Sequence, residues 1–307
     1  MNMKTFALTL LGTLLLTAAS VMAATFAEGN AAYKRGDFAR AYSIMRTLAT
    51  QSEPRAQSNL AFMYRTGQGV ARNYDEAFKW YQLSAEQGDA NGQFGLAYGY
   101  EEGQGVARDY AQALKWYRLA AAQGNTMAQV NLGFMYRDGR GVAKNQDTAL
   151  EWFRLAAAQG NVSAQYYIGL AYDNGVGVPR DYTQALKWYR LAVMSDDPDA
   201  QINLGAMYEK GHGVERNLAA AMRLYRQAAE QGSAAGQNNL GVIYAEGRGV
   251  AQDYVRAYMW FSISADSGDV NGARNRGAAA QSMTAMQISA AQKLARECAQ
   301  KNLAGCD

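Results

Sequence analysis

Apolar and small residues return along this chain in two alternating blocks, each with helical spacing. In the first block Leu60, Leu96, Leu132, Ile168, Leu204 and Leu240 stand four residues before Tyr64, Tyr100, Tyr136, Tyr172, Tyr208 and Tyr244, with Ala or Gly directly after the aliphatic residue. An i, i+4 apolar pair beside a small residue marks one face of a short helix lying close to a neighbour. This predicts helix A, about residues 55–66 in the first full copy. The second block carries Ala77, Ala113, Ala149, Ala185, Ala221 and Ala257, then Trp80, Trp116, Trp152, Trp188, Leu224 and Trp260, each followed directly by Tyr or Phe. Those positions predict helix B, and a Trp column beside alanines at this spacing reads as core rather than as a ligand cage.

A Gly-x-Gly-Val step separates the blocks, beginning at Gly67, Gly103, Gly139, Gly175, Gly211 and Gly247. Glycine adopts positive φ at low cost and suits the residue just past a helix end. An Asn or Asp then stands at 73, 109, 145, 181, 217 and 253, where its side chain can cap helix B. Helix B stops at Gly88, Gly124, Gly160, Gly232 and Gly268, with Asp196 as the exception. The whole pattern has a period of 36 residues. One helix pair cannot bury an aromatic face alone, whereas stacked copies form a continuous core, so the period predicts an α-solenoid.

These columns, Ala-x-x-x-Leu-Gly-x-x-Tyr-x-x-Gly-x-Gly-Val followed by Asp-Tyr-x-x-Ala-x-x-Trp-Tyr-x-x-Ala-Ala-x-x-Gly, resemble the Sel1-like repeat, a subgroup of the tetratricopeptide-repeat superfamily. The resemblance covers residues 56 to about 277 and implies an all-α, right-handed superhelical solenoid. The expected boundaries are 1–23 for a signal peptide, 24–52 for an N-terminal tetratricopeptide-like cap, 53–268 for six repeats and 269–307 for C-terminal capping helices. Tyr33 to Phe38 and Ala41 carry the N-terminal cap, with Ala41 in register with Ala77. A polar-faced helix from Met283 to Lys301 is expected to seal the last hydrophobic face.

In related solenoids the side of helix A opposite the core lines a concave groove, and the resemblance places Phe62, Phe94, Tyr98, Val130, Phe134, Tyr166, Leu170 and Ile202 there. An exposed aromatic stripe would bind a partner. Tighter stacking would instead bury the same residues, and the sequence leaves both open. The next column mixes signs (Arg65, Glu101, Arg137, Asp173, Glu209) and reads as polar contacts setting partner register or as an ordinary solvated face. Asn59, Asn131, Asn203 and Asn239 would clamp a ligand or hydrogen-bond between repeats.

Composition narrows the chemistry. A net charge of +3 from nearly balanced acids and bases gives no nucleic-acid footprint. Lys4, the apolar run Phe6–Leu16 and Val21-Met22-Ala23 read as a cleavable secretory signal, cut after Ala23, which places the mature chain in the periplasm or outside the cell without an integral membrane segment. In such a compartment the isolated pair Cys298 and Cys306 favours a disulfide over two free or intermolecularly paired thiols. Two cysteines and the single His212 are too few for a Cys/His zinc site, and no cofactor motif is present. His212 sits in a Gly-x-Gly turn, no Ser-x-x-Lys occurs, and the glycine steps follow helices rather than strands, so nucleophilic, penicillin-recognising and dinucleotide chemistry all lack support. The expected function is an exported, non-enzymatic scaffold binding protein or peptide partners along the groove, in envelope regulation, assembly or host interaction. A peptidoglycan or other cell-wall glycan ligand is the alternative, and a β-lactamase-type hydrolase the weaker one.

Overall fold

The computed structural model describes residues 26–306. The signal-segment reading falls on residues outside these. The described residues contain sixteen helices and no strand: α1 over 26–34, then α2 (Phe38–Thr50), α3 (Pro54–Thr66), α4 (Tyr74–Glu86), α5 (Ala90–Glu102), α6 (Tyr110–Ala122), α7 (Thr126–Asp138), α8 (Gln146–Ala158), α9 (Val162–Asn174), α10 (Tyr182–Val193), α11 (Pro198–Lys210), α12 (Leu218–Glu230), α13 (Ala234–Glu246), α14 (Tyr254–Asp266), α15 (Val270–Ala280) and α16 (Ala285–Gln300). The odd-numbered helices α3 to α13 are the A helices and the even-numbered α4 to α14 the B helices of a repeat solenoid. Among the described residues no helix is long and apolar enough to cross a membrane.

The helices form two compact units, one ending at Leu155 and one beginning at Ala156. In the first, α3 to α7 pack in chain order, each on the next. In the second the same holds from α9 to α15, and α16 packs on α14. Each A helix ends on the first glycine of its Gly-x-Gly-Val step, as at Gly103, where φ is 70°. Each B helix begins on its Asn or Asp; the Asp109 carboxylate accepts from the amides of Ala111 and Gln112. The A helices have caps of the same kind, which the repeat columns also contain: Asp89 accepts from the Gly92 amide at 2.7 Å.

The fully buried rings are one residue beyond the Trp column. Tyr81, Tyr117 and Phe153 in the first unit and Tyr189, Tyr225 and Phe261 in the second are all core. The tryptophans are half-buried instead, except Trp260. Trp116 packs against both the Tyr117 cluster and the Tyr81 cluster, so it seals the seam between neighbouring repeats. Trp260 is buried because α16 covers α14. There the outward positions held by Lys187, Arg190 and Leu191 in α10 become Met259, Ser262 and Ile263, all buried. The loss of both charges on that face marks where the array stops. Cys298 and Cys306 form a disulfide with Cα atoms 5.3 Å apart, holding the tail against the last core cluster.

One buried polar column ties the stack together. Gln57, Gln93, Gln129, Gln165, Gln201 and Gln237 are buried near the start of each A helix. In the first unit the amides of Gln57, Gln93 and Gln129 donate to the carbonyls of Ala49, Ala85 and Ala121, near the end of the preceding B helix. Each of those carbonyls also accepts from an amide just past the helix end, Ser52, Gly88 and Gly124, so the glutamine takes its second lone pair. The Gln57 and Gln93 oxygens accept from Gln87 and Gln123, thirty residues on. In the second unit Ser195 and Ser267 stand where that donor belongs, and the oxygens of Gln165 and Gln237 have no partner. Gln201 lacks an acceptor because α10 ends a residue early, at Val193, before the turn containing Asp196. Ser267→Gln should therefore raise the unfolding free energy by about 0.5–1.5 kcal/mol, the net value of one neutral hydrogen bond. Urea titration of the variant measures this, and an unchanged midpoint would refute the ladder.

Candidate functional site

On the A helices the candidate residues divide into two groups. Val130 is 3% exposed and Glu101 5% exposed, so the groove assignment is corrected for both: they belong to the interior. Val130 lies where α7 turns toward the core. Glu101 faces inward because a buried hydroxyl needs it. Tyr117 Oη donates to Glu101 Oε2 at 2.6 Å, Arg140 Nη1 donates to Glu101 Oε1 at 2.6 Å, and Asn131 Nδ2 donates to Tyr117 Oη at 2.7 Å. Both carboxylate oxygens are thus satisfied, Oε1 by a charged donor and Oε2 by a neutral one, while Arg140 Nε is buried without a partner. Burial, reinforced by the Glu101 charge, pushes the Tyr117 hydroxyl well above its ordinary pKa, which keeps it a donor.

The second unit repeats the device. Tyr225 Oη donates to Glu209 Oε2 at 2.8 Å, and Arg248 pairs with Glu209 and Glu246. Tyr189 Oη lies 3.3 Å from Asp173, and Asn203 donates to the hydroxyls of Tyr189 and Tyr166. The mixed-sign column therefore supplies acceptors for the ring column, and Asn131 and Asn203 bond between neighbouring repeats. The signal was available as spacing: sixteen residues from acid to tyrosine, and thirty-nine from acid to the Arg inside the next Gly-x-Gly step.

The remaining candidates are half-buried. In the first unit Phe94 packs on Tyr117 with ring centres 5.8 Å apart and on Tyr98 at 6.4 Å, and Phe134 meets Phe153 at 5.3 Å. The Arg65 guanidinium lies 5.1 Å from the Phe62 ring centre and 5.2 Å from that of Tyr98, linking α3 to α5. Arg137 covers Phe134 at 4.8 Å and pairs with Asp138, whose carboxyl it holds below the usual range. In the second unit Tyr166 packs on Tyr189 at 6.0 Å, and Leu170 and Ile202 are half-buried. These side chains are packed on their inner side and keep part of their surface exposed. The first unit presents Phe62, Tyr98 and Phe134 under arginines, an apolar surface with charge-delocalised cations over it. Such a surface suits side chains and backbone of a polypeptide. Among the described residues no three His, Cys, Asp or Glu side chains come together as a metal site would require.

A family model described as the Sel1 repeat matches residues 54–89, 90–125, 126–161, 162–197, 198–233 and 234–269. Among solved structures, a Sel1 repeat protein from Oxalobacter formigenes is 33% identical, with 78% of this chain and 96% of that one covered and a TM-score of 0.72. A protective antigen present in uropathogenic Escherichia coli strains is 27% identical over 94% of this chain and 86% of its own, with a TM-score of 0.40. An immunity protein from Pseudomonas aeruginosa is 22% identical over 66% of this chain and 81% of its own, with a TM-score of 0.47. No curated protein matches the chain.

Proposed function

The chain belongs to the Sel1 repeat family, and from that premise we propose that it is an exported, non-enzymatic scaffold that holds a protein or peptide partner on the outer edge of its A helices. The observation that carries this reading is the aromatic row of the first unit. Phe62, Tyr98 and Phe134 are fixed from below by core rings or bridged from the side by Arg65 and Arg137, so they offer a pre-set contact row with little ordering cost. The periplasm or cell exterior is the proposed compartment, resting on the signal-like first 23 residues and on the disulfide.

The test is photo-crosslinking in the native host, with a benzophenone amino acid placed at Tyr98 or Phe134. Leu119, which is 43% exposed on the opposite, B-helix face, is the control. Protein adducts are expected at Tyr98 and Phe134 and several-fold weaker ones at Leu119. Equal adducts at all three positions would remove the A-face assignment. Cosedimentation with purified peptidoglycan, without protein adducts, would change the ligand class from polypeptide to glycan.

A further inference from the structure

We propose that a cavity at the N-terminal end of the array, between α1, α2 and α3, is a socket for a tyrosyl side chain of the partner; this rests on the A-face reading above. The ring column has a gap at this end of the array. Thirty-six residues before Tyr81 the column holds Met45. In the copies that follow, the residue fourteen positions beyond the ring is often Asn, and its amide finds the ring hydroxyl: Asn131 on Tyr117 at 2.7 Å, Asn203 on Tyr189 at 3.3 Å. Fourteen residues beyond Met45 stands Asn59, which meets only the Met45 sulfur at 3.9 Å and turns aside to Asn30 Oδ1 at 3.0 Å. The residue sixteen before the ring, Glu101 or Asp173 in later copies, is Gly29 here. Both the ring and its acceptor are missing from a site whose Asn donor is retained.

Beside Met45 lies a cavity of about 260 Å³. Met45 and Met63, each 1% exposed, form its floor, and the half-buried Asn30, Tyr33, Asn59 and Phe62 form its rim. Well-packed interiors leave few voids larger than a water molecule, and an apolar floor gives water few partners. Two thioethers below and two aromatic side chains at the rim favour a flat aromatic group, through sulfur–ring and edge-to-face contacts. The Asn59 amide then selects a hydroxyl on that ring, which accepts its hydrogen bond as the Tyr117 hydroxyl does from Asn131. Phe62 lies on the rim and also under Arg65, which reaches Tyr98, so a peptide held along the A face of the first unit can anchor here.

Binding of N-acetyl-tyrosinamide and N-acetyl-phenylalaninamide to the purified protein, followed by NMR titration, tests the socket. Both probes should shift resonances around Met45 and Met63 saturably. The tyrosine amide should bind about fivefold tighter, the factor expected of one net neutral hydrogen bond. Met45→Tyr puts the missing ring back, so it should abolish binding of both probes with an unfolding midpoint equal to or above that of the parent. Asn59→Ala should keep both probes bound and remove the preference between them. Absence of saturable binding by the parent protein, or binding undiminished in Met45→Tyr, overturns the proposal. Probe binding without any photo-adduct at Tyr98 or Phe134 would sink the A-face reading and leave the socket. Adducts that survive unchanged in Met45→Tyr would sink the socket as the partner's anchor and leave the A face.

Discussion

Tyr117→Ala is expected to lower the unfolding free energy by about 3–5 kcal/mol, more than Trp116→Ala one residue earlier. Tyr117 is 0% exposed at the centre of the cluster that includes Leu132 and Met135, so truncation leaves a cavity that neighbouring helices cannot close. It also takes the hydroxyl from Glu101 and from the Asn131 amide, both turned toward it from different repeats. Tyr117→Phe isolates that second part and should cost about 1–3 kcal/mol, the penalty for polar groups left partly unsatisfied. Trp116 is half-buried at a seam and loses less on truncation. Because neighbouring repeats share their interfaces, damage at Tyr117 also weakens the contacts of α6 with α5 and α7. Urea titration followed by circular dichroism orders the three variants. Trp116→Ala proving the costlier would place the core at the wrong column.

That reversal of weight between Trp116 and Tyr117 shows what was legible and what was not. Periodicity showed both helix blocks, the turns and the caps, because each is set by residues within about one helix pair. It put both aromatic columns on helix B, but neighbours in sequence sit about 100° apart around a helix, and a one-residue difference decides which ring faces the centre. Val130 and Glu101 are buried for a different reason: the members of one column differ in size and in what lies opposite, so a column is not one face. The hydrogen-bond networks escaped because their partners come from different columns. Glu101 with Arg140 spans thirty-nine residues, and Gln87 with Gln57 spans thirty. Such pairs become visible only when the columns of one repeat are compared with those of the next. The socket at Met45 is the converse case, since a missing member of a column becomes informative once its neighbours' partners are known.

Gly105→Ala is expected to cost about 2–5 kcal/mol, whereas Gly103→Ala, two residues earlier in the same turn, should cost about 1–2 kcal/mol. Both glycines have positive φ, 70° at Gly103 and 73° at Gly105, so both variants incur the strain of a left-handed non-glycine residue, roughly 1–2 kcal/mol. They differ in what surrounds them. A Cβ at Gly103 would come no nearer than 3.6 Å to any atom, the closest being the Arg108 nitrogen and the Val106 oxygen, both in its own turn. A Cβ at Gly105 would stand 2.3 Å from the Tyr74 carbonyl oxygen and 2.9 Å from the Phe78 Cβ, the first turns of α4 in the preceding repeat. Backbone cannot rotate away as a side chain can, so the turn and α4 must separate, and overpacking of this kind adds about 1–3 kcal/mol. The first glycine therefore ends a helix, while the second sets how closely one repeat approaches the one before it. Separation there also shifts α5 against α3, the pair that Arg65 bridges through Phe62 and Tyr98. Gly105→Ala should consequently weaken photo-adducts at Tyr98 as well as lower the urea midpoint, while Gly103→Ala leaves the adducts in place. Equal costs for the two variants would mean that both glycines serve only backbone conformation and that the spacing of repeats is set elsewhere.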